Sequence, residues 1–404
     1  MSNFTLTEEI LLKLLSASIN GTKAQIDEET LKQADWNAIG LFSFKQAVSL
    51  AVFDVVTPYK KYIPANIYDK WYAHVLKAFS KNSALDSAQK QLHEEICNDC
   101  DYAILKGIAA AQYYNRPELR NLGDIDFLIA EDKLEVVSQK ITAKGYERHS
   151  DNDCHVCFVK NGVALEMHFE IPGIPYGEKG NTVRDFVKGI LPTTKNVEAA
   201  GNAFTSPRDM YNGVVFLLHM QHHMVSEGLG LRHLSDWACY INKTHNDAFW
   251  NELLPFFKSI GVYKYCQVMT KTCSIYLGSA CPDWAAKADK DLCYQIIRDI
   301  LSSGNFGKLD STRKTSGMMV SEHGKDGMKH GKVYNLARAL HSSMYNVYPI
   351  VKRVPVLYPF LYVWRIFVYI FKVIKGERVS LIKAASVADQ RKLLYEQLEI
   401  FETK

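Results

Sequence analysis

The chain has 404 residues, 47% of them hydrophobic and 23% charged, with a formal net charge of +4. That balance excludes a disordered protein, and the length allows two or three packed units of roughly 100–200 residues each. So weak a charge neither requires nor excludes a nucleic-acid partner. The first residues, Met1 to Glu9, lack a basic stretch followed by an apolar one, so no secretory leader is expected. Nine cysteines then read as reduced thiols of a cytoplasmic protein rather than as a disulfide framework.

In chain order, residues 1–100 read as a helical region. Leu6, Ile10, Leu11, Leu14 and Leu15 follow i, i+3, i+4 spacing behind a Thr5-x-x-Glu8 capping box. Trp71, Val75, Leu76, Phe79, Leu92 and Ile96 extend the helical pattern as a core stripe. Residues 101–205 change texture. A short strand, Tyr102–Lys106, ends at Gly107, and a short helix follows over Ile108–Tyr114. A second strand covers Gly123–Ala130, a helix covers Asp132–Lys144, and Lys160-Asn161-Gly162 turns a hairpin between Cys154–Val159 and Val163–Ile171. Strand, helix, strand, helix, hairpin is the order of a small mixed α/β unit.

From 206 to 303 the helical pattern returns, and 304–334 reads as a mobile polar loop with Lys308, Arg313, Lys314, Lys325, Lys329 and Lys332. The remainder, 335–404, is helical and holds an aromatic and basic stretch at 354–374. Arg365, Lys372 and two prolines argue against a spanning helix there. A buried helix is the first expectation and peripheral contact with the inner membrane the alternative.

The chemistry gathers around Asp124 and Asp126. Two apart on a strand, they face one way while Ile125, Phe127 and Ile129 face a core. Adjacent carboxylates repel unless a cation compensates, and Mg²⁺ or Mn²⁺ carrying a nucleoside triphosphate would supply it. Glu166 shares a face with His168 on the later hairpin and is the natural third carboxylate. Lys106 and Gly107, at a strand-to-helix junction, offer backbone N–H groups and charge to a phosphate, and Arg120 adds a second cation. Gly123 leaves room for close approach.

Three other groups invite a reading. His219, His222 and His223 lie on one helix, with helix packing or substrate contact favoured over zinc. Cys97, Cys100, Cys154 and Cys157 imitate a four-thiolate site, but the second pair faces opposite sides of a strand. Arg232 and Asp236 are spaced as an i, i+4 surface pair.

Taken together, Leu105-Lys106-Gly107, Tyr114-x-x-Pro117-Glu118-Leu119-Arg120-x-x-Gly123-Asp124-Ile125-Asp126, Gly145-Tyr146 and Leu165-Glu166-Met167-His168 resemble a poorly characterised bacterial nucleotidyltransferase family of the DNA polymerase β superfamily. The resemblance continues through His219-x-x-x-His223, Gly230-Leu231-Arg232-x-x-x-Asp236-Trp237 and Gly304-Asn305-Phe306-Gly307. It implies an α+β fold with a small mixed-sheet core flanked by helices, and Mg²⁺-dependent transfer of a nucleoside monophosphate to an acceptor in surface-polysaccharide or related biosynthesis. Asp124, Asp126 and Glu166 would take the metal and base roles, Gly107 the nucleotide loop, and Arg232 and Asp236 a contact across the cleft. The sequence departs from the superfamily where Ile108 follows Gly107 in place of Ser or Gly. The acceptor stays open, and two other readings stand beside this one: a nucleotide-sugar glycosyltransferase using Asp-x-Asp, and an inactive scaffold for a partner or membrane.

Overall fold

The computed structural model describes residues 4–151, 154–175, 177–244, 246–320, 331–375 and 379–400. Lys325 and Lys329 of the expected loop lie outside them. The fold is α+β. Five strands form a mixed sheet in the order β1 (Tyr102–Ile104), β2 (Ile125–Ile129), β5 (Val163–His168), β4 (His155–Lys160), β3 (Glu147–Asp151). β2 and β5 run parallel, and the other neighbours are antiparallel. A parallel pair needs a crossover, supplied by the helix Leu134–Ala143 and the β3–β4 hairpin.

The first helix, Leu6–Asn20, begins with the expected capping box and buries Ile10, Leu11, Leu14 and Leu15 completely. Its partner lies far along the chain. Ser16 Oγ and Asn20 Nδ2 donate to the carbonyl of Leu277, at 2.9 and 2.7 Å. One hydrophobic core therefore joins the N-terminal helices to Asp209–Val225, Leu231–Lys243, Tyr263–Leu277 and Lys290–Ser303.

A second core lies between the sheet and the 32-residue helix Ala65–Ile96. Leu85, Leu92 and Ile96 meet Ile104, Phe127, Ile129, Phe158, Leu165 and Met167 there. This helix contributes to both cores, Trp71 to the first and Leu85, Leu92 and Ile96 to the second, because it also packs with the sheet that follows it. The expected stripe is corrected in part. Trp71, Leu92 and Ile96 are buried as expected, but Leu76 and Phe79 are about half exposed (50% and 51%), and Asn82, Leu85 and Gln89 fill the buried face between them.

Two strand features escaped the sequence pattern. β3 is exposed at every position, so it shows no alternation. The hairpin of β6 (Lys195–Ala199) and β7 (Asn202–Ser206) turns on Ala200 and Gly201, both at positive φ (50° and 76°). Ala200 gives no turn signal in sequence.

The expected polar loop is partly helix. Arg313–Val320 is helical because Arg313 pairs with Asp299 at 2.7 Å while buried, and Arg391 of the helix Leu381–Gln397 donates to the Arg313 carbonyl at 3.0 Å. The expectation of a buried helix at 354–374 is overturned as well. Pro355–Ile374 is long and apolar enough to cross a membrane by length and composition, and none of it is buried. Phe360, Trp364, Phe367 and Ile374 expose 72, 59, 63 and 77% of their surface.

The second core gives a direct test of the corrected stripe. Leu92→Ala should lower the unfolding free energy by about 2–4 kcal/mol, and Leu76→Ala by less than about 1 kcal/mol. Urea denaturation of the two variants checks the difference, and equal losses would contradict this packing.

Candidate active site

The β2–β5 pairing builds the acidic wall. Its register sets Asp126 beside Glu166 and Leu128 beside His168. Ile125, Phe127, Leu165 and Met167 fix the opposite face in the second core, so period-two alternation leaves Asp126, Glu166 and His168 on the cleft side. Asp124 precedes the strand by one residue and shares that side. Leu105 N–H extends the β1–β2 ladder by donating to the Asp126 carbonyl at 3.0 Å, which brings Lys106 across from Asp126.

Asp126 is buried and its charge is compensated. Oδ1 lies 2.7 Å from Lys106 Nζ and 2.9 Å from His168 Nε2. Burial alone would raise its pKa, but Lys106 and His168 hold it well below the ordinary carboxylate range. Burial opposes charge on His168 too, yet its hydrogen bonds to Asp126 and Glu166 shift it upward. Glu166 Oε2 is 3.5 Å from His168 Nε2 and 3.9 Å from His155 Nε2. Asp124 is only partly compensated, by the more distant effect of Lys106 and Arg232. The charge of Asp126, then burial, push its carboxyl up to about 6.

Gly107 adopts φ 55° and ψ −116°, a conformation a β-carbon strongly disfavours. The helix after it is shorter than expected, four residues over Ile108–Ala111. Within it Ala109 N–H donates to Lys106 O, and Ala110 and Ala111 N–H donate to Gly107 O. Gly107, at the junction expected from the sequence to seat a phosphate, lines the cleft. The Lys106 ammonium is turned to Asp126 rather than outward.

The opposite wall comes from Asp209–Val225 and Leu231–Lys243. It carries His219, His222, His223, Arg232 and His233, and the cleft between the walls holds about 300 Å³. Arg120 and Asp236 line it, but the structure spends their charges on each other. Arg120 Nε and Nη2 donate to the two Asp236 oxygens at 2.7 Å each, and Tyr114 Oη donates to Oδ1 at 2.7 Å. This corrects the surface pair expected between Arg232 and Asp236: both are buried, and the carboxylate turns to Arg120.

Arg232 remains the cation that faces the cleft. Its Nη1 lies where a β-carbon on Gly123 would come within 3.5 Å, so Gly123 keeps that approach open. Burial, then the neighbouring Arg120, lower its pKa. Phe306 covers it, with the guanidinium carbon 5.3 Å from the ring centre.

Sequence reasoning missed His155, His233 and Phe306 as lining residues. His233 was in view, one residue after Arg232, but lacks the i, i+4 partner that drew attention to His219 and His223. All nine cysteines are free thiols.

The raised Asp124 carboxyl has a stability consequence. Because the folded state holds that proton more tightly than the ordinary value of 3.8, ionised Asp124 destabilises the fold above about pH 6, and the cost disappears below about pH 4. Without divalent ions, Asp124→Asn should be more stable than wild type by about 3 kcal/mol at pH 7.5, with the gap closing by pH 4. Urea denaturation across this range reads the difference, and a gap independent of pH would contradict the repulsion.

No curated protein matches the chain. Among solved structures, an antigenic nucleotidyltransferase-like protein from Paracoccidioides brasiliensis is similar over 53% of this chain and 98% of its own, at 13% identity. Its TM-score of 0.29 is too low to inform the site. The family model described as uncharacterised nucleotidyltransferase matches residues 32–278, which is more than half of the sequence and spans both walls of the cleft. The chain belongs to this uncharacterised nucleotidyltransferase family.

Proposed function

We propose that the protein transfers a nucleoside monophosphate from a nucleoside triphosphate to an acceptor, with a divalent cation held by Asp124, Asp126 and Glu166. The observation that carries this reading is the incompletely compensated repulsion at Asp124, whose carboxyl rises to about 6 beside an ionised Asp126. Such a pair fits a hard cation such as Mg²⁺ or Mn²⁺, which takes carboxylate and phosphate oxygens. Bound there, the ion would polarise the phosphates and offset charge on the leaving pyrophosphate.

The chain's own residues supply the rest. Arg232, beside the open space at Gly123, pairs with phosphate oxygens. Glu166 keeps a quarter of its side chain exposed, so it can accept the proton of an acceptor hydroxyl. That oxygen attacks the α-phosphorus, the bond to the bridging α–β oxygen breaks, and pyrophosphate leaves. Lys106 and His168 hold Asp126 ionised until a substrate complex replaces them. Arg120 and Asp236 position Arg232 from behind.

Incubation with each α-³²P-labelled nucleoside triphosphate, Mg²⁺ or Mn²⁺ and a cell extract tests this. Wild type should label an acceptor, and Asp126→Asn should lose at least about 100-fold of the rate. Label released solely as free monophosphate, or equal labelling by the variant, would count against transfer at this site.

We infer further that the protein is cytoplasmic and rests on the inner membrane through the exposed helix Tyr358–Ile374. An unburied aromatic face together with Arg365, Lys372 and Lys375 suits the interface of anionic lipid. Vesicles containing phosphatidylglycerol should sediment wild type but not Phe360→Ser/Trp364→Ser/Phe367→Ser. Equal sedimentation of both would remove this helix from the contact.

A further inference from the structure

The wall opposite the carboxylates carries polar atoms that the fold leaves without partners. Nδ1 of His219, Nδ1 of His223, Nε2 of His233 and Nε of Arg232 are all buried, and none has a hydrogen-bond partner among the described residues. All four side chains line the cleft. A buried polar group left unpaired costs about 1–3 kcal/mol, so four of them on one wall call for a ligand.

The chemistry of that ligand follows from the tautomers and the charge. Gly230 N–H points at His233 Nδ1, at 3.4 Å. A backbone amide can only donate, so Nδ1 accepts, and neutral His233 carries its proton on Nε2. Burial first, and then Arg232, His222 and the other neighbouring imidazoles and cations, hold His219, His223 and His233 well below the ordinary histidine range. The three rings are therefore neutral at neutral pH, each with one N–H to give. Arg232 Nε adds a charged donor.

The same three histidines have ligand atoms within 4.8 Å of one another, a spacing that would also admit a metal. Two features disfavour a cation. His233 Nε2 has a proton rather than a lone pair while Gly230 occupies Nδ1, and Lys106 and Arg232 bear electrostatically on the cluster. His233 Nε2 and Arg232 Nε are therefore buried donors without partners among the described residues, and donors in a positive field suit an anion.

Phe306 closes the arrangement. Its ring packs on His223 and His233 with centres 4.7 and 5.5 Å apart, and it lies over Arg232. It holds φ 57°, uncommon for a residue with a side chain. The close approach of its turn depends on Gly230, where a β-carbon would fall 2.7 Å from Asn305 Cα. Strained backbone at a cleft mouth is characteristic of ligand sites.

We propose that His219, His223, His233 and Arg232 form an oxyanion subsite, capped by Phe306, that takes a phosphate-type group. The group belongs either to the nucleoside triphosphate or to the acceptor. Arg232 is shared with the proposed transfer site and the three histidines are not, so phosphate binding can hold with or without nucleotidyl transfer.

The test uses inorganic phosphate and full-length protein in EDTA, where the carboxylates have no cation through which to hold an anion. Calorimetry should give saturable 1:1 binding, weakened about tenfold or more in His233→Ala and in Arg232→Gln, a change of about 1.4 kcal/mol each. In wild type, which needs no variant to fold, phosphate should shift the His233 Nε2–H resonance in ¹⁵N-resolved spectra of the histidine rings. Adding Mg²⁺ and a non-hydrolysable nucleoside triphosphate separates the sources. Displacement of phosphate assigns the seat to the triphosphate, and simultaneous binding assigns it to the acceptor. The proposal is overturned if phosphate leaves the histidine resonances unmoved, or if binding survives both substitutions. It is equally overturned if the wild type takes up one equivalent of Co²⁺ with a tetrahedral absorption band that His219→Ala abolishes.

Discussion

The cleft exists because Arg120 and Asp236 meet across it. Arg120 opens the loop that leads into the acidic strand, and Asp236 sits on the helix that carries Arg232 and His233. Their bidentate pair, 2.7 Å on both arms and almost fully buried, ties sheet to helices. Buried ion pairs repay their desolvation only when geometry is good and the remaining lone pairs are satisfied. Tyr114 Oη meets that condition on Asp236, and Asn82 meets it along the loop by donating to the Arg120 carbonyl and accepting from Leu122 N–H. The loop before Asp124 is therefore held at Arg120 and Leu122, and Arg232 is presented one helical turn from the clasp.

With the walls fixed, their charges oppose. One side gathers carboxylates, of which Asp126 is neutralised internally and Asp124 is not. The other gathers neutral imidazoles and a buried guanidinium. A polyanion carrying a divalent cation is complementary to both at once: the cation to the acids, the anionic oxygens to the donors. The same polarity disfavours a bare anion on the first wall and a bare cation on the second. Membership of the uncharacterised nucleotidyltransferase family agrees with a cleft of this kind, and the family does not fix the acceptor.

How much of this was legible in the sequence depends on whether neighbours in space were neighbours in sequence. The Asp124–Asp126 spacing, the Asn161-Gly162 turn and the Glu166–His168 alternation are local, and local periodicity locates them. The parallel β2–β5 register, which sets Asp126 beside Glu166, was anticipated only as a requirement. Pairings over long separations were not legible. Nothing in the spacing of Arg232 and Asp236 reveals that Arg120, 116 residues away, takes the carboxylate. Arg313 looked like one more lysine-rich loop residue until Asp299 and Arg391 gave it partners. The aromatic stretch at 354–374 failed for the opposite reason: composition makes it apolar whether or not anything covers it, and among the described residues none of it is fully buried.

The central claim is that a cation and a triphosphate sit together between the two walls. A crystal of the protein with Mn²⁺ and a non-hydrolysable nucleoside triphosphate, measured at the manganese edge, addresses it most directly. The account predicts an anomalous peak bridging Asp124, Asp126 and the phosphates, with phosphate oxygens turned toward Arg232. A nucleotide bound outside the cleft, or manganese absent from the two aspartates while nucleotide is present, would contradict it.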